Sequence, residues 1–196
     1  MLDGVAEACV REIDPDAELM LAFKAGDVSA FDKLFERWAG PLLRYLERIV
    51  RDASTAEELV QDAFLRVHGA RERYVPEARF STWLYRIATN LAFNELRRPR
   101  RKHPHASADD ETAGIHLRGA EPTPDRVAHA RMLGADVERE LEKLPPRQRM
   151  ALWLCAVEGL AYAEIAEALD TTEKSVKSLV HRARATLADR LQESGV

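Results

Sequence analysis

Cysteine is scarce in this sequence, with only Cys9 and Cys155 among 196 residues. They lie far apart and outside any CxxC spacing, so we expect a reducing, cytoplasmic setting and no disulfide framework. Long apolar runs are also missing. The longest uncharged one, Met150 to Val157, is far too short to span a bilayer. The first residues lack the basic start and apolar centre of a secretory signal. We therefore expect no membrane insertion.

Motifs of catalysis are missing as well. The sequence has no Gly-rich phosphate loop, no HExxH and no nucleophile motif. His103 and His105 form a histidine pair that, with Cys155, resembles part of a metal site, but no third ligand lies near them. The sequence therefore predicts no enzyme, no catalytic residue, no metal and no cofactor.

Helical periodicity runs through most of the chain, and no convincing alternating strand occurs. Asp27 is placed to cap a long helix that contains Pro41, where we expect a kink or a break. Ser54 and Glu57 have the spacing of a capping box at the start of the next helix. Residues 69–79 are expected to form a connecting loop. The segment 99–126 is polar, contains several prolines and lacks an apolar period, as expected of a flexible linker.

The stretch "FSTWLYRIATNLAFNELRRPRR", residues 80–101, concentrates aromatic rings and arginines in a chain whose net charge is −4. On a helix of about 100° per residue, one face is apolar and predicted to be core: Phe80, Leu84, Ile87, Ala88 and Leu91. The adjoining face and helix end carry Trp83, Arg86, Asn90, Asn94, Arg97 and Arg98. Amides can bond to base edges and arginine can bind phosphate. This face is either a DNA contact or a solvated helix surface.

The end of the chain, "LAYAEIAEALDTTEKSVKSLVHRAR", has the pattern of a helix-turn-helix, with Thr172 as the cap of the second helix. The predicted buried stripe is Val176, Val180, Ala183, Leu187 and Leu191. The opposite side carries Lys174, Lys177, Ser178, His181 and Arg184. A basic, polar outer face on the second helix suits the major groove, so this segment favours DNA binding.

Two motif blocks together resemble a known family. "AEELVQDAFLRVH" with "RFSTWLYRIATNLAFNELRR", then "LEKLPPRQRMALWLCAVEGLAYAEIAEAL" with "SVKSLVHRARATL", are similar to a bacterial RNA polymerase sigma factor. The short layout resembles the extracytoplasmic-function group of the sigma-70 family. The resemblance implies an all-α fold of two small helical domains joined by a flexible linker. We expect an N-terminal extension (1–16), sigma region 2 (17–98), the linker (99–129) and sigma region 4 (130–196).

The resemblance also implies roles for individual residues. Region 2 would dock on the clamp helices of the polymerase β′ subunit through Glu58, Gln61, Asp62 and Leu65. It would open promoter DNA at the −10 element through Trp83, Arg86, Asn90, Asn94, Arg97 and Arg98. Region 4 would bind the −35 element and the β flap. Its DNA contacts would be Lys174, Lys177, Ser178, His181, Arg182 and Arg184, with Arg182 toward the DNA backbone.

By the same resemblance, the partners are core RNA polymerase, promoter DNA and an anti-sigma factor.

Two features depart from the family pattern: Leu179 stands where an arginine is frequent, and the turn "DTTEKSVKS" lacks the usual glycine and proline. The alternative function is a helix-turn-helix regulator that binds duplex DNA without polymerase. The helix around Leu59 to Val67 and the aromatic-arginine helix distinguish the two, because a simple repressor needs neither.

Overall fold

The computed structural model describes residues 14–98 and 137–193, and most of them are helical. The helices are α1 (Pro15–Lys24), α2 (Val28–Val50), α3 (Ala53–Gly69), α4 (Phe80–Arg97), α5 (helical residues 137–142), α6 (Pro146–Ala156), α7 (Tyr162–Ala168) and α8 (Glu173–Glu193). A single 3-10 turn, Arg71–Arg73, lies between α3 and α4. Within these two stretches no strand occurs, which confirms the predicted all-α fold. We call residues 14–98 the N-terminal module and residues 137–193 the C-terminal module.

The N-terminal caps predicted from the sequence are confirmed for α2 and α8, and the one predicted for α3 is wrong. The Asp27 carboxylate accepts a bond from Ser29 N at 3.0 Å and caps α2, and Thr172 Oγ1 accepts from Ser175 N at 3.2 Å at the start of α8. The predicted capping box at Ser54 is wrong. The cap of α3 is Asp52, whose carboxylate accepts from Thr55 N at 2.7 Å.

Helix α2 is continuous through Pro41, so the interruption expected there is not a break. Proline removes one backbone donor from the helical ladder. Buried residues on both sides of it, Leu34 before and Leu42 and Tyr45 after, pack into the same core. This packing holds the two halves of α2 in one helix despite the missing bond.

The core of the N-terminal module is rich in aromatic side chains. Tyr45 and Tyr85 are fully buried, with ring centroids 5.3 Å apart at 84°. The hydroxyl of Tyr45 lies 2.8 Å from Thr89 Oγ1, and burial raises the pKa of both tyrosines. Phe80 and Leu84 of the predicted core face of α4 are also fully buried. The remaining members agree, since Ala88 and Leu91 are buried and Ile87 is partly so.

Helix α1 is part of this module through residues that the sequence assigned to an extension. Asp16 is buried, pairs with Arg37 and accepts a bond from Trp38 Nε1 at 3.0 Å. Asp14 accepts from Asp16 N at 3.2 Å and from Phe80 N at 2.7 Å, so one carboxylate serves the first turns of α1 and α4. Asp14 and Asp16, which the sequence placed in the extension, are therefore bonded to the helices of the N-terminal module. The rest of the extension lies outside the described residues.

The C-terminal module has a smaller, mainly aliphatic core. Val176, Val180 and Ala183 of the predicted stripe are buried, while Leu187 and Leu191 are partly exposed. This module packs against the N-terminal module, with α7 on α4 and α6 on α2. The expected linker, 99–129, lies outside the described residues, as does the expected start of region 4 at residue 130.

Candidate functional site

The outer face of α3 brings all four predicted docking residues together. Glu58, Gln61, Asp62 and Leu65 are exposed, and they follow the i, i+3, i+4, i+7 spacing of one helical face. Leu65 is 68% exposed, so this face includes one large apolar side chain among its polar ones. The opposite face is buried through Leu59, Val60, Ala63, Phe64 and Val67.

An aromatic side chain of α2 that the sequence analysis did not name packs against α3 and is partly exposed. Phe35 of α2 is 43% exposed, and its ring centroid lies 4.8 Å from that of the buried Phe64. Only the packing reveals that Phe35 is exposed. Together with Leu65 it gives the surface of α2 and α3 two exposed large apolar side chains.

The outer face of α4 carries the predicted −10 residues. Arg86, Asn90, Asn94, Arg97 and Arg98 are all exposed. Arg98 also pairs with Glu95 at 3.2 Å. Trp83 differs from the others because it is half-buried, with its ring centroid 5.1 Å from Tyr74 and 5.8 Å from Phe80. The structure thus gives an exposed strip of amides and guanidinium groups, with a cluster of tilted aromatic rings at one end.

The loop before α4 contains polar groups that the sequence reading missed. Lys24 Nζ donates to the backbone oxygen of Tyr74 at 2.9 Å, which ties α1 to the loop. The Tyr74 side chain is buried, and burial together with Asp14 and Asp16 raises its pKa to about 12. No sequence pattern relates these residues, which are separated by about fifty positions or more. This loop is therefore held in place from α1.

The outer face of α8 carries the predicted −35 residues. Lys174, Lys177, Ser178, His181, Arg182 and Arg184 are all exposed. Arg182 Nε donates to Ser178 O at 3.2 Å, so this guanidinium lies along its own helix. Leu179 is buried at 8% exposure, so the position that departs from the family pattern belongs to the core here.

A groove runs along α8 and adds one residue to this face. Its lining includes Lys177, His181 and Arg184 from α8 together with Tyr162 from α7. Arg184 Nη2 also approaches Cys155 Sγ at 4.0 Å. Tyr162 is neither basic nor an amide, so nothing in the sequence indicated that it lies next to the predicted DNA-contact residues of α8.

Neither a metal cluster nor a membrane span is present in the parts of the chain that the structure describes. No group of three or more His, Cys, Asp or Glu side chains there could hold a metal ion. No helix in residues 14–98 or 137–193 is both long and apolar enough to cross a bilayer. His103 and His105, considered above as ligands, lie outside these residues.

Comparison with known families matches both modules. The family model of Sigma-70 region 2 matches residues 34–102, and that of Sigma-70, region 4 matches residues 135–187. The ECF RNA polymerase sigma factor SigE of Mycolicibacterium smegmatis is 36% identical over 169 residues, which is 85% of this chain and 64% of SigE. The chain thus spans less than two thirds of that relative.

A second relative and a solved structure match over nearly their whole lengths. The RNA polymerase sigma-H factor of Pseudomonas aeruginosa is 32% identical over 183 residues, 91% of this chain and 95% of that protein. The structure of CnrH in complex with the cytosolic domain of CnrY superposes with a TM-score of 0.68 at 25% identity. The superposition covers 92% of this chain and 99% of CnrH. Both modules and their mutual arrangement therefore have counterparts among known proteins.

Proposed function

The chain belongs to the extracytoplasmic-function group of the sigma-70 family of RNA polymerase sigma factors, and from this premise we propose a division of labour between its two modules. As a member of that family it directs RNA polymerase to promoters. The N-terminal module docks on the polymerase and separates the strands at the −10 element. The C-terminal module reads the −35 element as duplex. Catalysis belongs to the polymerase, and the chain contributes binding and specificity.

The observation that carries this proposal is the exposed strip on α4. Asn90 and Asn94 offer donors and acceptors that suit base edges, and Arg86 and Arg97 lie beside them. Aromatic rings near one end of the strip, with Trp83 half-buried, suit stacking with an unpaired base. Strand separation costs a few kcal/mol per unstacked step, which such contacts offset.

Recognition of the −35 element rests on α8. Its exposed Lys177, Ser178 and His181 project from a helix whose other side fills the module's core. A helix with long donors on its outer face fits the major groove, where base pairs are distinguishable. Lys174, Arg182 and Arg184 supply further charge for phosphates.

Docking on the β′ clamp helices rests on the outer face of α3. Leu65 is an exposed apolar side chain on this face, and Glu58, Gln61 and Asp62 supply polar, acidic groups around it. Such an apolar centre with a polar rim is the usual anatomy of a protein interface. A regulator that acts on duplex DNA alone has no need of this surface, so binding to core polymerase separates the two functions.

Two further partners belong to this proposal. The β flap of the polymerase is the expected contact of the C-terminal module. An anti-sigma factor is expected as the inhibitor of the free chain. CnrH, which superposes on nearly the whole described chain, was solved with a protein partner, the cytosolic domain of CnrY, and this supports a partner of that kind here.

Capture of the chain by purified core polymerase, followed by run-off transcription from a promoter library, tests the function. The wild-type chain should bind core and initiate from a subset of templates. Asp62→Arg should weaken core binding by about tenfold, about 1.4 kcal/mol, because it reverses a charge on the docking face. Glu18→Arg, the same charge change on an exposed site of α1, should bind normally. If the wild-type chain does not bind core polymerase, the alternative function, a helix-turn-helix regulator that binds duplex DNA, is favoured instead.

A further inference from the structure

Helix α1 is hydrogen-bonded to both ends of the segment that leads into α4. At the C-terminal end of α1, Lys24 Nζ donates to the backbone oxygen of Tyr74 at 2.9 Å. At the other end, the Asp14 carboxylate accepts from Phe80 N at 2.7 Å. A helix of ten residues is about 15 Å long, so its two ends can hold the start and the end of this segment. Residues 74–80 are therefore fixed at two points by a single helix.

Helix α1 is itself firmly attached to the rest of the N-terminal module. Asp16 is 7% exposed, pairs with Arg37 and accepts a bond from Trp38 Nε1 at 3.0 Å. Met20 and Phe23, on the inner side of α1, are buried in the core. A helix that is held by core packing and by a buried carboxylate is a rigid support for the segment bonded to it.

The supported segment has one buried anchor followed by an exposed turn. Tyr74 is 5% exposed, whereas residues 75–77 are exposed. The hydroxyl of Tyr74 has no hydrogen-bond partner within the described parts of the chain. Tyr74 is therefore held by the packing of its ring and by its backbone bonds, of which the one from Lys24 comes from outside the loop.

The Trp83 ring lies against the two residues that α1 holds. Its centroid is 5.1 Å from that of Tyr74 and 5.8 Å from that of Phe80. A displacement of Tyr74 would remove one side of the support of this half-buried ring. The position of Trp83, a predicted −10 residue, therefore depends on Lys24, although Lys24 belongs to a different helix from the exposed strip on α4.

Fixing this segment in advance favours the binding of a separated strand. Ordering a flexible segment costs conformational entropy, and a site that must be ordered by its ligand loses that cost from its affinity. A preformed site avoids the loss. Hydrogen bonds from charged donors are among the stronger ones in proteins, and removal of Lys24 would take such a donor from Tyr74 O.

We propose that Lys24 is a positioning residue for −10 recognition: its bond to Tyr74 O keeps the Tyr74 ring in place and thereby presents the Trp83 ring to an unpaired base. This inference rests on the proposed function, because it assumes that α4 binds a separated strand. Lys24 acts through Tyr74 and Trp83 and does not contact the DNA. Its substitution should therefore weaken binding of the separated strand and leave docking on the polymerase unchanged.

Binding of the holoenzyme to a single-stranded oligonucleotide tests this inference. The oligonucleotide carries the −10 sequence of a template that initiates in run-off transcription. Lys24→Met, which keeps the length of the side chain but removes its charge and its donor, should weaken binding about fivefold or more. Lys24→Arg, which keeps a charged donor, should bind within about twofold of the wild type. Lys33→Met, the same change at an exposed site of α2, should bind normally.

Two further variants show whether the effect passes through the aromatic rings. Tyr74→Phe should bind normally, because the hydroxyl that it removes has no partner within the described residues. Lys24→Met combined with Trp83→Ala should bind no more weakly than Trp83→Ala alone, because the lysine acts through that ring. A lysine that only stabilised the fold would instead add its own loss to that of Trp83→Ala.

Any one of four results overturns the inference. They are normal binding by Lys24→Met, no better binding by Lys24→Arg than by Lys24→Met, additive losses in the combined variant, and an equal loss of core binding by Lys24→Met. The last would mean that Lys24 only stabilises the module.

Failure of the proposed function is recognised separately, in the wild-type chain. A wild-type holoenzyme that binds the −10 oligonucleotide no better than a scrambled sequence contradicts strand recognition by α4, and the inference fails with it. If the wild type discriminates between the two sequences and Lys24→Met does so equally well, only the inference about Lys24 fails.

Discussion

The two modules differ in what fills their cores. The N-terminal module completely buries large aromatic rings, among them Phe23, Tyr45, Phe80 and Tyr85. In the described part of the C-terminal module, Met150 and Leu154 are the largest fully buried side chains. Aromatic rings bury more area and add edge-to-face contacts, so they stabilise a small core strongly. In the proposed function only the first module separates DNA strands, and it has the core with more aromatic rings.

Removal of one large core side chain from each module should have the largest effect and tests this contrast. Phe80→Ala should lower the free energy of unfolding by about 3–5 kcal/mol, because a wide cavity forms among rings that cannot close it. Met150→Ala should cost about 2–3 kcal/mol, because flexible aliphatic neighbours relax more easily. Urea unfolding of the full chain, followed by circular dichroism, measures both. A larger loss for Met150→Ala would contradict the contrast.

The sequence was most informative where one helix has a buried and an exposed side. The separation of Phe80 and Leu84 from Asn90 and Asn94 on α4 follows from a 3.6-residue period, and the burial agrees with it. The same holds for the docking face of α3. Periodicity succeeds here because a single helix that packs on one side needs no information from distant residues.

The sequence was less informative about where helices begin. Ser54 had a suitable glutamate three residues later, yet Asp52 is the cap. The choice depends on where α2 ends: its last residue is Val50, and Arg51, which follows, is in the left-handed conformation with φ of 63°. A chain that turns there places Asp52, and not Ser54, at the start of α3. Local patterns offered both caps, and the geometry of the preceding helix end selected one.

Contacts between distant residues could not be read from the sequence at all. Asp14 bonds to Phe80 N across 66 positions, and Arg149 bonds to Ile49 O across 100. An aspartate in a polar segment and an arginine in a helix have no sequence pattern that identifies their distant partners. The attachment of α1 to α4 and the packing of α6 on α2 both depend on such contacts, so only the fold reveals them.

Loss of one base contact in each module should have an intermediate effect on promoter discrimination. It tests whether each module recognises its own promoter element. Asn90→Ala should weaken discrimination at the −10 element, and His181→Ala at the −35 element, each by about 1–3 kcal/mol. Holoenzyme binding to promoters that carry single base changes in one element measures this. Glu167→Ala, on the exposed side of α7, is the control for the C-terminal module. Loss of discrimination at both elements from one substitution would contradict separate reading by the two modules.

The smallest expected effect is on the salt dependence of DNA binding. It should differ between α8, which is proposed to bind duplex DNA, and α4, which is proposed to bind a separated strand. Each phosphate contact contributes about 0.9 to the slope of log affinity against log salt on duplex DNA and about 0.7 on a single strand. Lys174→Ala, which removes a proposed phosphate contact of α8, should therefore lower the slope of holoenzyme binding by about 0.9 on both closed and pre-opened templates. Arg97→Ala should lower it by about 0.7 only on templates whose −10 region is already single-stranded, because closed duplex presents no separated strand to α4. Lys33→Ala, exposed on α2, should change neither slope. An equal effect of Arg97→Ala on closed duplex, at a temperature that prevents melting, would mean that α4 binds the promoter before its strands separate.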